Sequence, residues 1–93
     1  MGYHESFKAL SDKTRREILM LLRDRDRTAG DISAQFDMTQ ATVSHHLSVL
    51  KDAGLVSDRR EGKTIVYELN TSVLEEVMVW LIHLKGDSMH EEQ

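Results

Sequence analysis

The sequence predicts a mainly α-helical domain with one small β-hairpin, ordered α-α-α-α-β-β-α. Three observations predict it. Two short segments of helical periodicity, 28–36 and 39–53, follow one another across a brief Asp37-Met38-Thr39 connection. Directly after them, Thr64-Ile65-Val66-Tyr67-Glu68 is rich in β-branched and aromatic residues, behind an Glu61-Gly62-Lys63 turn. Proline is absent, which suits short, helix-rich organisation. Two consecutive helices across a tight turn are the sequence form of a helix-turn-helix. A basic hairpin behind it makes a winged helix.

Phe7 and Leu10 form an apolar pair at helical spacing and predict one or two turns. Ser11 and Asp12 are helix-start residues. Ile18, Leu19, Leu21 and Leu22 follow, so a second helix runs to about Arg23. Thr28 with Asp31 three residues on has the pattern of a capping box, opening a helix with Ile32 and Phe36 on one face. Thr39 can cap the next helix, whose inner stripe is Val43, Leu47 and Leu50 and which Gly54 stops. Leu55 to Arg60 and Thr64 to Glu68 then form a hairpin with a basic tip. Asn70, Thr71 and Ser72 can cap a last helix, with Glu75 and Glu76 in its first turn and Lys85 in its last.

That last helix is apolar beyond one stripe: Val73, Leu74, Val77, Met78, Trp80, Leu81, Ile82 and Leu84 all belong to it. A helix so broadly apolar needs a second surface to cover it. In so short a chain the sequence predicts a second copy, hence a homodimer through the terminal helices. Its expected interface residues are Phe7, Leu74, Val77, Met78, Leu81 and Leu84.

Ninety-three residues make about one small domain, expected over 1–86, with an acidic and disordered tail at 87–93. No apolar run approaches the ~20 residues of a membrane span, so no stable membrane insertion is expected. Met1-Gly2-Tyr3-His4-Glu5 lacks the regions of a signal peptide, and cytoplasmic residence is the default expectation. The absence of cysteine removes disulfides, thiol catalysis and cysteine-based metal sites. No catalytic constellation is visible, so the chain does not read as an enzyme. The net charge of −4 is unevenly placed: Gly86–Gln93 carries −3, leaving −1 on the rest. Lys13, Arg15 and Arg16 form one basic cluster, and Arg59, Arg60 and Lys63 another. Local clusters of this kind, more than the total, decide nucleic-acid binding.

Phe7-Lys8-Ala9-Leu10-Ser11-Asp12-Lys13-Thr14-Arg15-Arg16 resembles the opening of the ArsR/SmtB winged-helix repressors. Thr42-Val43-Ser44-His45-His46-Leu47-Ser48-Val49-Leu50 resembles their recognition helix. Gly54-Leu55-Val56, Arg59-Arg60-Glu61-Gly62-Lys63 and Tyr67-Glu68-Leu69 resemble their wing. The resemblance covers about residues 5–85 in the family's order and is strongest to the cysteine-free SdpR-type autorepressors. It implies a dimer that binds double-stranded, near-palindromic operator DNA and represses its own operon. For that subgroup it also implies release by a membrane or protein anti-repressor. The family usually has proline where Lys13 stands; lysine tolerates the site and adds a candidate phosphate contact.

At about 100° per residue, the outer face of 39–53 centres on Ala41, His45, Ser48 and Asp52, with Ser44 beside it. Gln40 is suited to a bidentate contact with adenine, Thr39, Thr42 and Ser44 to bases or phosphates, and the Ala41 methyl to thymine. His45 is a candidate DNA contact, while His46 sits nearer the core and is expected to be a satisfied interior histidine. Arg59, Arg60 and Lys63 are expected at phosphates or the minor groove, and Arg15 and Arg16 at phosphates, unless one pairs internally.

Many members of the resembled family sense metals. One of their sites uses cysteines; the matching Thr28-Ala29-Gly30-Asp31 has none. Another uses residues that align with Asn70, Ser72, His83 and Gly86, of which only His83 is a good ligand. No metal site and no cofactor are therefore expected. Two alternatives stand beside the autorepressor. One is a metal-responsive repressor using histidine and carboxylate ligands, such as His4, His83 or the tail's His90. The other is a winged-helix protein-interaction module, suggested by the acidic total charge.

Overall fold

Side-chain caps set where the helices begin. In the computed structural model, which describes residues 3–86, the helices are α1 (His4–Leu10), α2 (Lys13–Asp24), α3 (Ala29–Ser33), α4 (Gln40–Asp52) and α5 (Thr71–Lys85). Asp12 accepts from the Arg15 amide at 3.0 Å, Thr39 from Thr42 at 3.1 Å, and Asn70 from Ser72 at 3.1 Å. Each bond satisfies an amide that the start of a helix leaves unpaired. At Thr28 the bond is reciprocal, with Asp31 N–H to Thr28 at 3.0 Å and Thr28 N–H to Asp31 at 3.3 Å, completing the capping box. The backbone amide of Arg15 also holds the Asp12 carboxyl below its usual pKa.

Two expectations are corrected here. α3 has five residues and does not run through 36 as a regular helix. The amides of Gln35 and Phe36 turn to carbonyls three residues back, so the chain tightens into turns, although Ile32 and Phe36 still face the core. Glu75 and Glu76 also lie beyond the first turn of α5, which contains no acidic residue.

Strands β2 (Val56–Glu61) and β3 (Thr64–Leu69) form the expected hairpin, paired from Val56↔Leu69 to Glu61↔Thr64. Gly62 bridges them at φ +65°, the left-handed region where glycine has no steric penalty. A third strand was not expected. β1, only Arg27–Thr28, pairs antiparallel with β3 at Tyr67 and Val66, giving the order β1-β3-β2. Two residues carry no alternation to read, so only the partner strand reveals them.

The inner stripe of α4, Val43, Leu47 and Leu50, is fully buried against Ile18 and Leu22 of α2, Ile32 of α3 and Leu55. Full burial of such a side chain is worth roughly 1.5–3 kcal/mol. α5 closes the core with Val73 and Val77. Val77, expected at a dimer face, is 3% exposed within the single chain and is a core residue. Leu74 is half-buried against the same core. The acidic tail, 87–93, lies outside the described residues.

Gly54 stops α4 at φ +77°, and a Cβ built there would stand 3.0 Å from Val73 Cγ2. Gly54→Ala therefore combines left-handed strain with a clash against α5. We expect it to destabilise the fold by at least roughly 1–2 kcal/mol, read from the midpoint of urea unfolding. An unchanged midpoint would mean the turn relaxes freely.

Candidate nucleic-acid interface

α4 presents Gln40, Ala41, Thr42, Ser44, His45 and Ser48 to solvent as one polar, small-residue face. Among the described residues, the side chains of Gln40, Ser44, His45 and Ser48 make no hydrogen bond within the chain. Their donors and acceptors remain available for base edges. Thr39 and Thr42 differ, because their hydroxyls bond to each other at 2.9 Å while Thr39 caps the helix. Those two hydroxyls hold the N-terminus of α4 in shape.

Two expected phosphate contacts have partners within the chain. Arg15 is turned inward: Nε donates to the Ala9 carbonyl at 2.8 Å, and one terminal nitrogen to the Lys8 carbonyl at 2.9 Å. The other lies 3.1 Å from His46 Nδ1. A guanidinium cannot accept, so Nδ1 must, which puts the proton of the neutral ring on Nε2. His46 is thus the satisfied interior histidine the sequence predicts, with its partner on α2. The Asp12 carboxylate is 3.9 Å from the same ring nitrogen.

Arg59 is the second. Its guanidinium meets Glu61 at 2.8 Å, Glu68 at 2.7 Å and Asp26 at 3.2 Å. Glu61 and then Asp26 hold it still more firmly protonated than usual. These acids lie on one face of the sheet. Arg59 and Glu61 are two apart on β2, Glu68 pairs with Ser57 and so lies diagonal to Arg59 on β3, and Asp26 leads into β1. A pattern read along one strand could not show this, because three acids from three segments converge on one cation. Arg60 and Lys63 are exposed and form no ion pair among the described residues, so they are the cations the wing presents. Arg16 is exposed and donates to the Leu10 carbonyl at 2.8 Å.

A second surface lies at the far end of α5. Met78, Leu81 and Leu84 are exposed as expected, and Phe7 beside them. Leu81 and Leu84 continue the helical phase of Val73 and Val77 but are 44% and 67% exposed, since none of the described residues covers them. Tyr3, Phe7 and Trp80 stack at centroid distances of 5.5–6.4 Å, joining α1 to this surface. Trp80 was not among the expected interface residues, although its apolar bulk was visible in the sequence. No described helix is long and apolar enough to cross a membrane. No three His, Cys, Asp or Glu side chains gather as a metal site among the described residues.

Residues 12–58 match the family described as "Bacterial regulatory protein, arsR family". The chain belongs to the ArsR family. It is 49% identical over 84 residues to the transcriptional repressor SdpR of Bacillus subtilis, covering 88% of this chain and 93% of that protein. It is 34% identical over 90 residues to the arsenical resistance operon repressor of Bacillus subtilis, covering 91% and 86%. Its structure superposes on an ArsR-like transcriptional regulator from Rhodococcus sp. RHA1 with a TM-score of 0.87 and 27% identity, over 96% of this chain and 82% of that one. The winged helix described above is the ArsR fold, and the protein is a DNA-binding transcriptional repressor of the ArsR type, not an enzyme.

The Arg15 geometry separates a structural cation from a DNA-contacting one. Arg15→Met should destabilise the fold by about 1–3 kcal/mol, from the net worth of its part-buried hydrogen bonds. The salt dependence of DNA binding should not change. A slope reduced by about one at unchanged stability would return Arg15 to the phosphates.

Proposed function

We propose that this ArsR protein is a homodimeric autorepressor that binds a near-palindromic operator in the cytoplasm and responds to no metal directly. The observation that carries it is the outer face of α4. Four polar side chains there have no internal partner among the described residues, and the wing adds the cations Arg60 and Lys63, exposed and without ion pairs among the same residues. The α4 face supplies sequence readout and the wing supplies phosphate or minor-groove contact. The 49% identity to a protein named a transcriptional repressor supports the repressor reading over activation. The absence of thiols supports metal independence, since a cysteine-ligated sensor needs them. Release by a sequestering protein is compatible with this reading.

Dimerisation rests on α5. Leu81, Leu84 and Met78 of α5 and Phe7 of α1 are large apolar side chains left open to water in the single chain. A twofold pairing through them gives the two α4 helices one operator, with half-sites about 34–36 Å apart. Leu81→Asp, or Leu84→Asp where the first fails to fold, should give a folded monomer by light scattering, with specific DNA binding lost. A dimer persisting in both would place the interface elsewhere.

The function is tested by titrating the protein onto the promoter of its own gene and onto a shuffled duplex, at about 0.15 M salt with chelator. Selective binding is expected. Failure on both duplexes that added zinc or nickel restores would favour the metal-responsive reading. Failure with and without metal would favour the interaction module. On the bound promoter, Arg60→Ala and Lys63→Ala should weaken all DNA binding and each reduce the salt slope by about one. Gln40→Ala should cost about 1–3 kcal/mol at one base position and little elsewhere. Arg59→Ala should leave the slope nearly unchanged, because its charge is already met.

A further inference from the structure

A groove of about 430 Å³ runs between α2, α5 and the end of β3, on neither the α4 face nor the exposed end of α5. Leu10, Met20, Leu69 and Leu74 line it, and almost no polar atom reaches its floor. Its volume lies within the ~300–1,000 Å³ of small-molecule sites. Met20 lies open to it at 58% exposure.

Arg16 and Arg23 also border this groove. They are seven residues apart on α2, about 10 Å along one face of the helix. Neither makes an ion pair among the described residues. Arg16 donates one N–H to the Leu10 carbonyl, leaving the rest of its fork unused. Arg59, by contrast, meets three acids. Two unpaired guanidinium groups flanking an apolar floor ask for an occupant that is apolar along its length and anionic at an end. Nucleic acid fits poorly, since a hydrated phosphate backbone would leave Met20 and the leucines uncovered.

We propose that this groove binds a small amphiphilic carboxylate, with an acyl chain lying over Met20, Leu69 and Leu74 and a carboxylate held by Arg23. The acyl chain removes the leucines and the methionine from water. The carboxylate forms a fork-to-fork pair with a guanidinium that otherwise has no counter-ion.

Isothermal titration of sodium decanoate into the full chain, below micelle formation and at about 0.15 M salt, tests the site. 1-Octanol serves as the neutral control, and phosphatidylglycerol vesicles test a lipid surface as the source of the same chemistry. Saturable decanoate binding is expected, with no binding to vesicles. Arg23→Gln should weaken decanoate by about five-fold, the effect of losing one exposed charge pair, while octanol binding is unchanged. Met20→Glu should abolish decanoate binding while keeping the helical circular dichroism and the oligomeric state. Arg23→Gln should also keep operator affinity, so the ligand site and the DNA reading stand or fall separately. Lack of saturable binding, equal binding by Arg23→Gln, or binding only to vesicles would overturn the proposal. So would dissociation of Met20→Glu into monomers, which would show the groove to be covered by a second copy.

Discussion

The guanidinium of Arg15 fixes the arrangement on which the DNA-reading face depends. α1 ends at Leu10, and Arg15 bonds two carbonyls of its last turn, that of Ala9 and that of Lys8, which also accepts from Ser11. Its remaining arm reaches His46 on α4. One planar cation thus joins α1, α2 and α4, which a lysine could not do with a single point charge. The bond to His46 sets how α4 is rotated about its own axis. His46 lies between the buried stripe of Leu47 and Leu50 and the exposed face of His45 and Ser48. A roll of one residue, about 100°, would bury polar side chains and expose leucine. Hydrophobic burial resists that roll from below and Arg15 resists it from the side.

The same economy explains how a chain of net charge −4 presents a cationic edge to DNA. The acids near its wing are paired with cations of the same chain. Asp58 holds Lys51 at 3.0 Å, and Asp26, Glu61 and Glu68 surround Arg59. The Arg59 cluster ties the strand leading to the wing tip to the loop before β1, stiffening the hairpin from its outer face. Beyond it, Arg60 and Lys63 stand without carboxylate partners. Exposed ion pairs contribute little to stability, so the effect of this placement is on where potential emerges.

Much of the fold was legible because the signals were local. The starts of α2 to α5 carried their caps in sequence, at Asp12, Thr28, Thr39 and Asn70, and the stripe Val43, Leu47 and Leu50 followed the helical period. Residues whose role depends on distant segments were misjudged for the same reason. Arg59 looked like a free cation because two of its three acids lie on other segments, Asp26 being 33 residues away, and the sequence could not say which of Arg15 and Arg16 turns inward because His46 is 31 residues away. β1 is too short to have a pattern, and exists because β3 offers an open edge. Val77 looked like Leu81 in sequence, one turn along the same apolar stripe. Only the length of α5 beyond the body separates them. The helix keeps one phase, but the core beneath it ends.

That end of the core is also where the division of labour in α5 begins. Its first two turns anchor it through Val73 and Val77 and, through Leu74, wall the groove beside α2. Its later turns carry the exposed surface that a second copy would cover. The groove therefore touches the anchored half of the helix, the last residue of the wing strand and the helix that carries Arg15. A ligand there changes DNA affinity only by the difference in its own affinity for the bound and free arrangements of these elements. If Leu69 and Leu74 keep their spacing when operator is bound, a groove ligand stabilises the fold and leaves DNA affinity alone. If the wing strand shifts against α5, the same ligand becomes an effector. Its sign is fixed by whether the groove widens or narrows, and by linkage operator DNA would change ligand affinity by the same factor.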